Sequence, residues 1–162
     1  MFDVLATIAG MMVLAGTALN AGRWWRLRRA RQRIPLEDRT FVTEHVGVTI
    51  SLHGPATLMG MRAGKRYRTS GDLIASGERV VLATRRGVLL DLSAARGRRL
   101  TSVRITGPGR LVIEGDLPRP SGPPGLFRFE LATDAAADWG PRLGAHVQQG
   151  GTVLTTMPQH PS

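Results

Sequence analysis

Two patterns of hydrophobic and polar residues divide the chain. Residues 2–21 read FDVLATIAGMMVLAGTALNA, an almost unbroken apolar run in which Asp3 is the only charged residue. From about residue 41 onwards, apolar and polar positions alternate, which is typical of strands buried on one side. The pattern therefore predicts one long apolar helix followed by a mainly β domain.

The β domain is predicted to contain seven or eight short strands separated by glycine- and proline-rich turns such as TGPG at 106–109. Short strands at this spacing favour an antiparallel sandwich or barrel. The predicted strands are residues 46–53, 56–62, 67–74, 79–84, 88–92, 100–105, 111–114 and 126–132.

The last predicted element is a helix over residues 135–149, after Thr133 and Asp134 as N-cap residues. Its apolar positions share one face, although Pro141 interrupts the run. These positions are Ala136, Trp139, Leu143 and Val147. The resulting division is a transmembrane helix at 1–22, a basic juxtamembrane segment and linker at 23–40, a β domain with its helix at 41–149, and an irregular tail at 150–162.

The apolar run has the length and the flank of a membrane anchor. Twenty helical residues span about 30 Å, the thickness of the hydrocarbon core of a bilayer. Tryptophan and arginine side chains favour the membrane boundary and follow the run directly. These predicted membrane-interface residues are Arg23, Trp24, Trp25, Arg26, Arg28 and Arg29.

Positive charge that follows a membrane span stays in the cytoplasm. The sequence therefore predicts a bacterial inner-membrane protein with its N-terminus outside and its β domain in the cytoplasm. Small residues within the anchor, namely Ala6, Ala9 and Gly10, are candidates for close helix–helix contact, since small side chains let two helix backbones approach.

Three other interpretations of the N-terminal region account for less of it. A cleaved signal peptide carries its positive charge before the apolar run, not after it. A buried core helix would rarely end in six arginines, and a nucleic-acid arm leaves the apolar run without a role. We therefore predict no nucleic-acid partner.

The charge of the β domain is concentrated in its middle. The whole chain has a formal net charge of +10, and residues 62–110 hold twelve Lys and Arg against three acids, a net of +9. One basic cluster, Arg62, Lys65, Arg66 and Arg68, falls in a predicted early hairpin. It is a candidate contact for anionic lipid at the membrane surface; a solvated hairpin edge is the alternative.

Candidate chemistry is sparse. The chain has no cysteine and four histidines, and it contains no nucleophile, phosphate-loop or dinucleotide motif. His45 and His53 could share a sheet face, but no cysteine or acid pair accompanies them. The sequence therefore predicts neither an enzyme nor a cofactor or metal site.

Three segments within residues 45–148 resemble bacterial PH-like and GRAM-type domains. They are SGDLIASGERVVLATRRGVLLDLS, RLTSVRITGPGRLVIEG and GLFRFELATDAAADWGPRL. The resemblance implies a seven-stranded bent sheet capped by the C-terminal helix, with no catalytic activity. It makes five residues framework positions: Gly71, Arg79, Val103, Leu111 and Trp139.

Small single-pass membrane proteins that carry such a domain have a similar layout. The predicted function is accordingly an accessory or stabilising subunit, or an assembly factor, of a larger membrane protein complex, energy-transducing complexes included. The alternative is an adaptor that binds anionic lipids at the membrane surface. The predicted partners are an integral membrane complex and anionic lipid.

Overall fold

A computed structural model of the chain describes residues 38–77, 79–93, 100–117 and 121–155, with seven separate residues nearer the N-terminus. Those seven are helical: Met11, Met12, Thr17, Ala21, Gly22, Trp25 and Arg28. Most of the predicted anchor, including Ala6, Ala9 and Gly10, lies outside the described residues. No helix that could be traced through the described residues is long and apolar enough to cross a membrane.

The described β domain contains ten strands and one helix. In chain order they are β1 (Phe41–His53), β2 (Thr57–Leu58), β3 (Met61–Arg62), β4 (Arg66–Ser76), β5 (Arg79–Thr84), β6 (Gly87–Leu92), β7 (Leu100–Gly107), β8 (Arg110–Leu117), β9 (Gly125–Ala132), α1 (Ala136–Gly144) and β10 (Val147–Thr155). The prediction of a mainly β domain with one helix is confirmed, although strand β10 follows the helix.

Eight of these strands form one curled, half-barrel sheet in the order β10-β7-β8-β9-β1-β4-β5-β6. Seven of them, from β7 to β6, pair antiparallel throughout. The eighth, β10, joins the edge at β7 in parallel. Strand β1 lies at the centre, because it pairs with β9 on one side and β4 on the other.

The alternating pattern of β1 explains where the core lies. Val46, Val48, Ile50 and Leu52 point inward and are at most 2% exposed. Each such burial contributes about 1.5–3 kcal/mol relative to an exposed side chain. The residues between them face the other side of the sheet, which is half-buried or exposed along β1. On β4 and β5 that other side buries a second, small apolar cluster of Ile74, Val81 and Ala83.

Strand β1 begins five residues earlier than the pattern predicts. The register with β4 shifts between Thr43 and Val46, and His45 adopts a φ of 59° within this bulge. A β-bulge adds one residue and reverses which positions face inward. The alternation therefore breaks at residue 45, although the strand itself continues from Phe41.

The predicted strand over residues 56–62 is instead a small hairpin. Its strands, β2 and β3, have two residues each and are joined by Met59 and Gly60, with φ values of 48° and 77°. Positive φ at both turn positions is typical of a tight hairpin turn. Leu58 and Met61 are buried in the main core, so the hairpin covers part of it.

Helix α1 packs chiefly against β7 and closes one part of the curled sheet. Ala136, Trp139 and Leu143 are buried on the predicted face. The helix is shorter than predicted, since it ends at Gly144. Val147 begins β10, which corrects both the helix boundary and the irregular tail predicted from residue 150.

The N-cap prediction also needs correction. Helix α1 has Ala135 at its N-cap, with no side-chain capping bond. The hydroxyl of Thr133 instead accepts a hydrogen bond from the backbone N–H of Ala135 at 3.3 Å. The threonine therefore stabilises the turn that precedes the helix.

Candidate interaction surface

The outer face of the sheet, opposite the main core, carries polar side chains in register across five strands. Residues directly opposite each other on neighbouring strands point to the same face of a sheet. One row of such residues crosses β4, β1, β9, β8 and β7 and is called here the outer row. It consists of Arg66, Ser51, Arg128, Glu114 and Ser102.

Two carboxylates link the arginines of this face. Glu114 accepts hydrogen bonds from Arg104 Nη2 at 2.7 Å and from Arg128 Nη1 at 3.4 Å. The second carboxylate oxygen of Glu114 accepts a hydrogen bond from the hydroxyl of Ser102 at 2.8 Å. These side chains are about one third exposed, so the ion pairs add little to the free energy of unfolding. Their main effect is to orient the arginine side chains.

Glu130 holds the other end of the same network. Its Oε1 lies 3.2 Å from Arg128 Nε and 3.8 Å from Arg66 Nη2. One carboxylate thus stands beside two guanidinium groups from strands β9 and β4. Since β1 lies between those strands, the two guanidinium-bearing residues flank Ser51 at a backbone separation of about 10 Å.

A shallow depression of 310 Å³ opens at this position, at the end of β1. We call it the basic depression. Its lining residues are Ser51, Leu52, His53, Gly64, Lys65, Arg66 and Arg128. Three cations line it, Lys65, Arg66 and Arg128, and none of its described lining residues is acidic. Glu130 and Glu114 pair with the two arginines from outside the lining.

The structure divides the basic cluster predicted from the sequence. Lys65 and Arg66 line the basic depression, whereas Arg62 and Arg68 do not. Arg68 is exposed on the outer face opposite Thr49. Tyr67 points to the inner side of β4, where its hydroxyl accepts a hydrogen bond from the backbone N–H of Arg62 at 3.1 Å.

Sequence reasoning missed Arg128 and Ser51. Arg128 is 62 positions from Arg66, and only the shared register with β1 brings the two together. The alternation of β9 does indicate that Arg128 faces outward. Pattern alone gives no register between distant strands, so it could not place Arg128 beside Arg66.

The predicted membrane-interface residues lie mostly outside the described residues. This holds for Arg23, Trp24, Arg26 and Arg29. Trp25 and Arg28 are described as helical, and Trp25 is 56% exposed. Their role at a membrane stays a prediction.

The two histidines considered for a shared face occupy different settings. The backbone N–H of His45, in the bulge of β1, donates to Asp72 Oδ1 at 3.2 Å. His53 ends β1 at the basic depression. Across the described ranges, no three His, Asp or Glu side chains lie close enough to hold a metal ion.

The five framework positions serve the core and its edges. Val103, Leu111 and Trp139 are at most 1% exposed, and Gly71 is buried where β4 meets β5. Arg79 forms two hydrogen bonds with the Asp91 carboxylate, each 3.0 Å long. Hydrogen bonding to that carboxylate raises the pKa of the Arg79 guanidinium above its usual range.

Comparison with known proteins adds no assignment to this geometry. No protein-family model matches the chain, and no curated protein matches it significantly.

Proposed function

We propose that the chain is a non-enzymatic, single-pass membrane protein that serves as an accessory or stabilising subunit, or an assembly factor, of a larger membrane complex. The observation that carries this proposal is the apolar run at 2–21, followed directly by arginines and tryptophans. Such a run buries its length in a bilayer and keeps its basic end in the cytoplasm.

We assign the β domain to the PH-like class within this proposal. Seven antiparallel strands in an unbroken series, closed by a helix with a buried tryptophan, support the assignment. The β2–β3 hairpin and the parallel strand β10 are additions to that plan. A domain of this kind acts by binding, so its outer surface is the part that meets a partner.

The transmembrane helix supplies the second contact with the complex. Ala6 and Gly10 are four residues apart, a spacing that lets two helices pack closely in a membrane, and Ala9 adjoins them. A subunit held in this way depends on the small size of these side chains more than on the hydrophobicity of the helix.

The test replaces Ala6 and Gly10 by leucine and measures co-purification of the full chain with large membrane assemblies in mild detergent. We expect the A6L/G10L protein to insert normally and migrate alone. Val4→Leu with Ile8→Leu is the matched control, because positions 4 and 8 have the same spacing on the opposite side of a helix. Wild-type protein that migrates alone in every mild detergent would contradict the subunit role.

A second candidate function is a surface adaptor for anionic lipid. The basic depression favours it, because Lys65, Arg66 and Arg128 line it together, although Glu130 and Glu114 pair with the two arginines from outside the lining. In that case A6L/G10L would leave localisation and complex size unchanged. Neutralising Arg62, Lys65, Arg66 and Arg68 would instead release the domain from anionic bilayers, most strongly at raised salt.

A further inference from the structure

The basic depression combines features that suit a carboxylate-bearing peptide. Arg66 and Arg128 stand on either side of the small Ser51, and Lys65 adds a third cation at the rim. A guanidinium has five N–H donors, so the bonds to Glu114 and Glu130 leave others for a ligand. A planar guanidinium group can bind a carboxylate in a bidentate manner, through two parallel N–H···O hydrogen bonds.

An exposed apolar side chain lies next to these cations. Leu126 is 48% exposed on the outer face, where it is directly opposite His53 on β1 and Asp116 on β8. Protein interfaces commonly join arginines to apolar contacts in this way. The surface therefore fits an acidic segment that also carries an apolar residue.

The position of the depression along β1 bears on which ligand reaches it. The chain enters β1 at Phe41, and the depression lies at the other end, around Ser51 and His53. Thirteen strand residues extend about 40 Å, somewhat less where the bulge bends them. The depression and the attachment point are thus at opposite ends of the domain.

The length of the linker makes lipid contact at the depression costly. Twelve residues separate the helical Arg28 from Phe41 at the start of β1. A fully stretched chain of that length reaches about 40 Å. When β1 stands upright on the bilayer, bringing the depression down to the headgroups would raise the Phe41 end by about 40 Å and stretch the linker to its limit. A ligand on the cytoplasmic side imposes no such stretch.

We infer that the basic depression binds an acidic segment of a partner protein on the side of the domain that faces away from the membrane. The inference rests on the proposed function, since the membrane anchor is joined to the domain at the Phe41 end of β1. Glu130 contributes by orienting Arg128 through a 3.2 Å hydrogen bond, whereas Arg66 is exposed and only 3.8 Å from the same carboxylate oxygen.

The experiment places the full chain in lipid nanodiscs and titrates it with the fluorescent peptide Glu-Glu-Leu-Glu-Glu, following anisotropy. The same peptide with glutamine in place of glutamate measures binding that does not need charge. We expect Lys65→Gln with Arg66→Gln to weaken binding of the glutamate peptide about ten-fold or more, since each lost partner is a charged hydrogen-bond donor.

Arg62→Gln with Arg68→Gln is the matched control. It removes the same charge from exposed side chains that do not line the depression, so binding should fall by less than about three-fold, as screened charges act weakly at a distance. Equal losses in the two double variants, or equal binding of the two peptides, would show diffuse attraction and overturn the inference. Ser51→Tyr, which fills the depression without a charge change, should also abolish binding.

The lipid composition of the nanodiscs separates the two possible ligands. Peptide affinity should be the same in phosphatidylcholine and in a mixture of phosphatidylcholine and phosphatidylglycerol. If phosphatidylglycerol displaces the peptide, the depression lies on the membrane and lipid is its ligand. A chain that fails to enter nanodiscs would refute the membrane anchor instead, while titration in neutral micelles would still test the depression.

Discussion

The indole N–H of Trp139 donates a hydrogen bond to the hydroxyl of Thr43 at 2.8 Å, across 96 positions of the sequence. This bond joins helix α1 to the first strand, and the Phe41 ring lies 5.0 Å from the Trp139 ring beside it. Trp139 is completely buried. The bond therefore gives the capping helix a fixed position on the sheet and satisfies a polar group that would be costly to bury alone.

Substituting Trp139 or Thr43 should destabilise the domain, and the loss should be larger for Trp139. Trp139→Ala should lower the free energy of unfolding by about 3–5 kcal/mol because it leaves a large cavity. Thr43→Val keeps the shape but leaves the indole N–H unpaired, at about 1–3 kcal/mol. Urea unfolding of the full chain in neutral detergent, followed by far-ultraviolet circular dichroism, measures both. Leu126→Ala, at an exposed site, is the control and should change the free energy of unfolding by less than about 0.5 kcal/mol.

Gly71 should tolerate no side chain. A Cβ at this position would lie 2.3 Å from the carbonyl oxygen of Ala83 and 2.7 Å from Thr84 Cγ2. We expect Gly71→Ala to cost about 1–3 kcal/mol or more, since the backbone of β5 would have to move. Gly107→Ala is the control, because the added Cβ would meet nothing within 4 Å. Similar unfolding midpoints for the two variants would mean that β4 and β5 are farther apart than described.

Substituting Arg79 alone should lower the free energy of unfolding more than replacing both Arg79 and Asp91 by apolar residues. The Asp91 side chain is 8% exposed, so Arg79→Met leaves its carboxylate without its principal guanidinium partner and should cost about 2–3 kcal/mol. The double variant Arg79→Met with Asp91→Leu should have nearly the same free energy of unfolding as the unaltered chain. Because the pKa of Arg79 is raised, the charge is present at all pH values below it. The effect of Arg79→Met should therefore be constant from neutral to mildly alkaline pH, and a decline there would contradict the assignment.

Membrane topology provides a test that does not depend on the β domain. A reporter active only in the cytoplasm should work when fused after Ser162, because the basic residues follow the apolar run. Replacing Arg23, Arg26, Arg28 and Arg29 by glutamine should produce mixed topologies. Activity of a periplasm-specific reporter at Ser162 in the unaltered chain would reject the orientation.

Local patterns in the sequence determine most of the strands. Residues 80–83 are an unbroken apolar run bounded by turn signals, and residues 79–84 form β5 with the predicted boundaries. In β1 the alternation from Val46 to Leu52 fixes which side chains enter the core. The spacing of Ala136, Trp139 and Leu143 likewise fixes the buried face of α1. These features follow from repeats of two and 3.6 residues, which are properties of each segment alone.

The tertiary structure decides what depends on distant partners. Gly151 looks like part of a tail, yet an added Cβ would lie 2.6 Å from the carbonyl oxygen of Thr101, because β10 pairs closely with β7. The positive φ of His45 changes which side of β1 faces inward. Arg66 and Arg128 meet only because both are in register with Ser51. Register and parallel pairing involve residues far apart in the chain, so the amino-acid pattern of one strand does not specify them.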